Sequence, residues 1–228
     1  MKRHGLFLFA IMFILLFALV QEVFTMPATV KHKVFLPGVE AEFKKLFGRK
    51  IIVGPAAAEG SELAKYAAAN EFGATITPKN AAYLALPLSK EAKERRPRDF
   101  DLVPVFPKGG TPYLAMKQGN SLKPYYLLLK KVTIPERSFL RSAFDKKATV
   151  DKAMTMARGM MQRLLGGSAT AEDVLNAIGS SLASSVKENI ASNIGPGNAP
   201  LTLALKRGKG TTLVDEAQLL KSISYEVI

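Results

Sequence analysis

The chain has 228 residues, 48% of them hydrophobic and 22% charged, which is the balance of a globular protein long enough for one substantial domain. It contains no cysteine, which excludes disulfides, thiolate metal sites and cysteine nucleophiles. Both histidines, His4 and His32, lie near the N-terminus, so a histidine metal cluster or a serine–histidine triad would have to recruit one of them. Carboxylate and lysine chemistry stay open.

Residues 1–25 differ from the rest of the chain, because Leu6–Val20 is a run of apolar residues preceded by basic ones. This layout is typical of a signal peptide, although no convincing cleavage site follows. The run is short for a membrane span, which needs about 20 apolar residues. We favour a misassigned start, with Met26 as the first residue and 26–228 as the folded domain. A membrane anchor is the alternative.

The first predicted elements of this domain are a helix over Leu36–Gly48, with Pro37 in its first turn, and a strand over 49–54. A second helix begins after Ser61, which is placed to cap "ELAKYAAANEF". Gly73 ends this helix and is expected to adopt the left-handed conformation.

Glu71 lies in the last turn of the second helix, where a carboxylate faces the negative end of the helix dipole. Since the penalty is only a fraction of about 1 kcal/mol, it is either an ordinary surface residue or the partner of a distant cation. Arg137 and Arg141 are spaced one helical turn apart, and either could reach it. We predict that Arg137 is the partner, in a structural role.

Between Ala74 and Ile134, short apolar or alternating runs are separated by proline, glycine and charge clusters, which predicts an antiparallel sheet. The connections "KEAKERRPRDF" and "PKGGTP" are expected to be exposed turns. Tyr125 and Tyr126 suit core packing better than a ligand site. We therefore predict an α+β protein, with a curved antiparallel sheet (a meander or barrel-like) packed against helices and with 74–134 as a charged β insertion.

The rest of the chain is predicted to be mainly helical. A helix over Ser138–Lys147 turns Phe139 and its other apolar side chains inward. The segment "VDKAMTMARGMMQRLLGG" forms a longer helix, in which Met154, Met160 and Met161 fill gaps in the core. Thr170 and Asp173 open the next helix in a near capping box. Asp215 is expected to cap a short helix before the final strand "SISYEVI".

An apolar stripe repeats every four residues along the long second helix of this region, at Val174, Ile178, Leu182, Val186, Ile190 and Ile194. Because four residues overshoot one turn, the stripe winds around the helix and must contact more than one neighbour, in this chain or in another. Such a stripe suits an oligomer interface. Gly179 and several serines between its positions would let a sheet or a partner chain approach closely, and the serines are interpreted as packing residues.

The net charge of +13 favours contact with phosphate or with acidic protein surfaces. Two runs supply the candidate contacts, namely Lys90, Lys93, Arg95, Arg96 and Arg98 in the first and Lys206, Arg207 and Lys209 in the second. No aromatic residue interleaves with them as a base-stacking platform requires, so the runs indicate at most non-specific contact with DNA. A solvated cationic surface is the alternative.

Three stretches together resemble the phage virion morphogenesis and tail-completion proteins: "YAAANEFG", "IPERSFLRSAFDK" and the ending "NAPLTLALKRGKGTTLVDEAQLLKSISYEV". The matching residues are Asn70, Glu71, Phe72 and Gly73, then Pro135, Arg137, Phe139 and Leu140, and last Leu201, Thr202, Lys206, Asp215, Leu219, Ser222, Ile223 and Tyr225. The resemblance rests on the order and spacing of these motifs and spans most of Gly48–Ile228. The chain departs from the family pattern at Asp215-Glu216-Ala217, where the family has Asp-Thr-Gly.

The resemblance implies a structural virion protein at the head–tail joint, a minor tail or head–tail connector protein that assembles into a homo-oligomeric ring. The implied partners are other phage tail or connector proteins, and DNA that passes nearby without sequence recognition. The implied location is the virion, after assembly in the host cytoplasm. No enzyme activity, cofactor or metal is implied. The alternatives are a membrane-anchored binding domain and a non-specific DNA-binding module.

Overall fold

The computed structural model describes residues 37–56, 61–206, 212–213 and 217–228. In these ranges the helices are α1 Pro37–Leu46, α2 Glu62–Phe72, α3 Lys90–Glu94, α4 Arg141–Phe144, α5 Lys147–Leu165, α6 Ala171–Ala191, α7 Pro200–Leu205 and α8 Gln218–Ser222, with a 3-10 turn at Pro97–Asp99. The strands are β1 Ile51–Pro55, β2 Ala74–Ile76, β3 Leu84–Pro87, β4 Val103–Val105, β5 Tyr113–Gln118, β6 Ser121–Leu129, β7 Val132–Ile134 and β8 Ile223–Val227. The predicted hydrophobic leader at 1–25 lies outside the described residues. Within the described ranges no helix combines the length and apolar character needed to cross a membrane.

The strands pair in antiparallel fashion, and the predicted α+β class, with a curved antiparallel sheet packed against helices, is confirmed. β1 pairs with β8, β2 pairs with β7, and the four-stranded sheet has the order β3-β6-β5-β4. In the first pair, Lys50 and Ile228 exchange both backbone hydrogen bonds and Ala56 N donates to Ser222 O, which fixes opposite strand directions.

The four-stranded sheet is curved but open. β4, β5 and β6 form the predicted meander, and β3 lies beside β6, which gives the strand order of a Greek key. Both edge strands contain proline, at Pro87 and Pro104, where the missing N–H discourages pairing with another chain. The rings of Tyr83, just before β3, and Phe106, just after β4, lie 6.4 Å apart. Since three strand spacings span about 14 Å in a flat sheet, the two edges converge at this end.

The segment "KEAKERRPRDF" is largely exposed, as expected, but it does not consist of turns alone. It forms α3 and the 3-10 turn, because Ser89 caps the helix by accepting a hydrogen bond from Ala92 N at 3.1 Å. Ala92 is buried and packs on Tyr125 and Tyr126 of the sheet. One buried apolar side chain, that of Ala92, is therefore enough to pack the charged helix α3 against one face of the sheet.

Tyr125 and Tyr126 are both buried, as expected for core residues. Neighbouring strand residues normally point to opposite faces, but a β-bulge opposite Leu114 and Ala115 leaves Tyr125 without a partner on β5. Both hydroxyls reach the α3 segment: Tyr126 Oη lies 2.7 Å from the Arg95 carbonyl oxygen, and Tyr125 Oη lies 3.0 Å from a carboxylate oxygen of Glu91. The bulge thus turns two adjacent tyrosines toward one helix.

The chain divides into two compact units. Among the described residues, the first unit comprises 37–53, 144–185 and 224–228, and the second comprises 54–143 and 186–223. The core of the first unit joins α1, α5 and the start of α6. It contains the buried Leu46, Met161, Leu164 and Val174, against which Met154 and Met160 pack. The prediction that Met154, Met160 and Met161 fill the core is confirmed.

The N-terminus of α6 carries the predicted capping box. Thr170 N donates to Asp173 Oδ2 at 2.9 Å, and Asp173 N donates to Thr170 Oγ1 at 3.2 Å. The backbone amide of Ala171, the first residue of α6, donates to Glu42 Oε2 of α1 at 2.8 Å. Hydrogen bonding from the Thr170 backbone lowers the pKa of the Asp173 carboxyl below its usual value.

We expect the stabilisation supplied by Asp173 to be lost in acid. Because the folded pKa is lowered, the carboxylate stabilises the fold in full above the unfolded pKa of about 3.9, and this contribution disappears as the pH falls through the lower folded value. The difference in melting temperature between the wild type and Asp173→Ala should therefore shrink from neutral pH to acid. A difference that stays constant over this range would contradict the capping role.

The apolar stripe of α6 is covered within the chain only in part. Val174, Val186 and Ile190 have exposed fractions of 3%, 0% and 0%, while Ile178, Leu182 and Ile194 are half-buried. Residues up to 185 belong to the first unit and those from 186 onward to the second. The role of the stripe in an oligomer interface stays a prediction.

The predicted close approach at Gly179 does occur, inside the first unit. A Cβ added to Gly179 would lie 2.8 Å from both Cγ and Cε2 of Tyr225 on β8. Because these atoms are part of a rigid ring, the ring can occupy this place only if residue 179 has no side chain. Tyr225 was matched to the third motif, and its role in this structure is to pack β8 onto α6.

Candidate functional site at the Glu71 cluster

The first motif forms the end of α2. Ser61 caps the start of this helix by accepting a hydrogen bond from Ala64 N at 3.2 Å, as predicted. At its other end, Gly73 has φ 69° and ψ 158°, so φ is positive as expected but the residue is extended and not left-handed helical. The reason is that the chain passes directly into β2. A Cβ on Gly73 would lie 3.1 Å from the backbone nitrogen of Glu136, so the glycine also permits close approach of the second motif.

Glu71 is only 3% exposed and is surrounded by donors from the second motif. Its Oε1 accepts hydrogen bonds from Ser138 Oγ at 2.7 Å and from Arg141 Nε at 3.0 Å. Its Oε2 accepts from the backbone amides of Phe139 at 2.8 Å and Leu140 at 2.9 Å. These amides lie directly before α4, where backbone N–H groups have no acceptor within the helix. The Glu71 carboxylate, which faces the negative dipole end of its own helix α2, supplies acceptors for the start of α4.

The cation that pairs with Glu71 is Arg141, and the prediction of Arg137 is wrong. Besides its bond to the carboxylate, Arg141 Nη2 donates to the Glu71 carbonyl oxygen at 2.8 Å and to Glu136 Oε1 at 2.7 Å. Its guanidinium also lies 5.1 Å from the ring centroid of Phe72. The hydrogen bond to Glu71 raises the pKa of Arg141.

The error has a structural cause. The prediction assumed a continuous helix over Ser138–Lys147, on which Arg137 and Arg141 would share one side. Instead α4 covers only Arg141–Phe144, and α5 begins at Lys147. Residues 135–140 have no regular secondary structure and surround the Glu71 carboxylate, so the two arginines meet different partners.

Arg137 is a buried structural residue, 7% exposed, with its own role. Its backbone N–H donates to Asn70 O at 2.7 Å, which joins the first two motifs. Its guanidinium donates to two carbonyl oxygens, from Nε to Pro196 at 2.7 Å and from Nη2 to Gly197 at 3.1 Å. Burial lowers the pKa of Arg137. The residue thus holds the loop that leads to the third motif.

We expect Arg137→Lys to lower the free energy of unfolding by about 1–3 kcal/mol, because a lysine ammonium does not reproduce the planar fork that meets two carbonyl oxygens. Urea denaturation measures the change. Arg98→Lys is the matched control, since Arg98 is exposed, and it should change stability by less than about 0.5 kcal/mol. Equal effects of the two substitutions would show that the carbonyl contacts add no net stability.

Sequence reasoning missed Asn189, which completes the cluster. Its Nδ2 lies 2.8 Å from the Phe139 carbonyl oxygen and 2.8 Å from Ser142 Oγ, and the residue is 3% exposed. The available signal was its position directly before Ile190 on α6, because an amide beside a buried stripe position needs a polar partner. Phe139 itself is fully buried, in agreement with its predicted inward orientation.

The third motif reaches the cluster only in part. α8 packs against α2, and its Leu219 and the adjoining Ile223 are each 1% exposed. Ser222 Oγ donates to the Leu219 carbonyl oxygen at 2.8 Å. The predicted cap Asp215 lies outside the described residues, and α8 begins only at Gln218. Tyr225 belongs to the first unit and not to this cluster.

The two predicted basic runs are not equivalent surfaces. In the second run, Lys206 is half-buried and donates from Nζ to the Thr212 carbonyl oxygen at 3.1 Å, so it is a structural residue. Arg207 and Lys209 lie outside the described residues.

In the first run, the Arg95 guanidinium lies 4.6 Å from the centroid of the Phe100 ring, and Arg96 pairs with Asp99 at 3.8 Å. The other members of that run, Lys90, Lys93 and Arg98, are exposed. Over 90–101 five basic residues face four acidic ones, a net charge of +1 (5 − 4).

The chemistry of the Glu71 cluster is that of a structural joint, because both carboxylate oxygens are already engaged by donors of the chain itself. Such a carboxylate has no free lone pair aimed at a substrate proton. Within the described ranges, no group of three or more His, Cys, Asp or Glu residues is arranged to hold a metal ion. Comparison of the chain with protein-family models, curated proteins and solved structures finds no match.

Proposed function

We propose that the protein is a structural, non-enzymatic component of a phage virion that joins or completes the tail at the head–tail interface, as one subunit of a self-assembling ring. The proposed partners are further copies of the chain and neighbouring tail or connector proteins. The proposal rests on the resemblance of three motifs in their order and spacing.

One observation carries the proposal furthest: the first two motifs form a single interlocked joint. Glu71 of the first motif accepts hydrogen bonds from Ser138, Phe139, Leu140 and Arg141 of the second, more than 60 residues later in the chain. This gives a physical reason for the two motifs to occur together, because each satisfies polar groups of the other. A rigid joint of this kind suits a protein whose work is to hold shape under assembly.

A ring also requires contact surfaces on the outside of each subunit, and the buried positions Val174, Val186 and Ile190 of the α6 stripe do not supply one. Exposed apolar side chains elsewhere supply candidates in both units. Phe47 is 58% exposed, Phe72 is 55% exposed and Ile52 is 51% exposed. A ring uses two different patches of each subunit, since its contacts are head-to-tail.

The test is the assembly state of the full chain and, beside it, of the chain that begins at Met26. Solution mass is measured by light scattering, and the same fractions are imaged in negative stain. We expect closed rings of uniform size in at least one of the two preparations. A clean monomer in both, at all concentrations reached, would contradict self-assembly.

A further inference from the structure

The converging end of the four-stranded sheet combines an exposed aromatic ring with lysines. Phe106 is 64% exposed, and its ring contacts the ring of Tyr83, with the two centroids 6.4 Å apart. Four exposed lysines lie within three residues of strand ends at this place, namely Lys79 after β2, Lys108 after β4, Lys130 after β6 and Lys131 before β7. We call these six residues the aromatic–lysine surface.

The strand register places the lysines together. Leu84 pairs with Leu129, so Lys130 follows at the position across from Tyr83. Ile76 pairs with Val132, so Lys131 lies at the same end of the neighbouring pair as the segment that holds Lys79. Lys108 follows Phe106 by two residues in the β4–β5 loop.

No acidic residue of the surrounding strands offsets these charges. The sequence contains five lysines and no carboxylate from Leu102 to Pro135, and one lysine and no carboxylate from Ala74 to Ser89. Within the described part of the chain, none of the four lysines of the surface has an ion-pair partner. This differs from the run at 90–101, where acidic residues nearly balance the basic ones. The surface therefore keeps its positive potential.

We infer that the aromatic–lysine surface binds single-stranded nucleic acid, with phosphates on the lysines and a base stacked on Phe106. Lysines supply the sequence-independent attraction to phosphate, and an exposed aromatic ring supplies stacking that any base can use. Phe106 selects the single strand, because the base faces of a duplex are already stacked on each other. This surface is distinct from both predicted basic runs and does not rest on the proposed tail role.

The test uses the full chain and a labelled oligothymidylate, with binding followed by fluorescence anisotropy at several salt concentrations. Four phosphate contacts predict a slope of log K against log salt of about −3, since each contact on a single strand contributes about −0.7. The double substitution Lys130→Ala and Lys131→Ala should make the slope shallower by about 1.4. At fixed salt, Phe106→Leu should weaken binding roughly tenfold, while Phe106→Tyr should retain it.

Matched controls separate this surface from the general charge of the protein. Phe47→Leu removes another exposed phenylalanine, at 58% exposure, and should leave binding unchanged. Lys44→Ala removes a lysine that pairs with Glu40 at 2.9 Å and should change the slope little. The Phe106 substitutions should also leave the melting temperature unchanged, because the side chain is exposed.

Three results would overturn the inference. One is the absence of salt-dependent binding to oligothymidylate. Another is equal affinity for a duplex of the same length together with no effect of Phe106→Leu, which would indicate backbone contact without stacking. The third is equally effective competition by polyglutamate, which would indicate an acidic protein partner. Light scattering on the same variants reports ring assembly separately, so failure of one proposal is distinguishable from failure of the other.

Discussion

Replacing Glu71 with alanine is expected to lower the free energy of unfolding by about 1–3 kcal/mol, the range for leaving buried hydrogen-bond donors without an acceptor. The substitution strips the acceptor from the Arg141 guanidinium and from the amides of Phe139 and Leu140. Urea denaturation measures the loss. Hydrogen exchange supplies a local measure, because these two amides should lose protection first.

The matched control is Glu62→Ala on the same helix. The Glu62 carboxylate also pairs with a cation, Lys65 at 2.7 Å, but its side chain is 92% exposed. Exposed pairs contribute about 0–1 kcal/mol, so this substitution should be nearly silent. Glu71→Gln keeps the shape of the side chain but replaces one acceptor oxygen with an NH2 group, which faces the N–H and O–H donors around it. This substitution should therefore lose most of the stability that Glu71→Ala loses. Similar small losses at Glu71 and Glu62 would show that the buried joint is not the source of stability.

Gly179→Ala is expected to destabilise the first unit by about 1–3 kcal/mol, although alanine forms helices better than glycine by about 1 kcal/mol. The reason is the Tyr225 ring, which already occupies the space of a Cβ at residue 179. Thermal and urea denaturation of the variant measure the net effect of the two opposing contributions.

Two comparisons isolate the steric cause. Gly159 lies within α5 with open space around its Cβ position, so Gly159→Ala should stabilise the protein by up to about 1 kcal/mol. In a Tyr225→Ala background, Gly179→Ala should change from destabilising to stabilising, since the ring is gone. Persistence of the loss in that background would mean that something other than the ring opposes a side chain at Gly179.

Local features of the fold could be read from the amino-acid order alone. Ser61 caps α2, and Thr170 and Asp173 form a reciprocal box at α6, because capping joins residues two or three positions apart. The alternating runs between Ala74 and Ile134 form the expected strands for the same reason, since the two-residue period is a local property. Glu71, Phe139 and Arg141 of the Glu71 joint were also identified, though not their pairing, and Asn189 was missed.

Contacts between distant segments were decided only by the tertiary structure. Arg141 pairs with Glu71 in place of Arg137, because residues 135–140 are not helical and helical spacing does not apply there. The packing of Ala92 of α3 on the sheet depends on a bulge that turns Tyr125 and Tyr126 to one face, which no period of two predicts. By itself the sequence determined where α2 and α6 begin, since their caps are local, and which residues are polar or apolar. The pairing of donors with acceptors depends on which distant segments the fold brings together. In the Glu71 joint these segments are more than 60 residues apart in the chain, so local patterns do not predict their contacts.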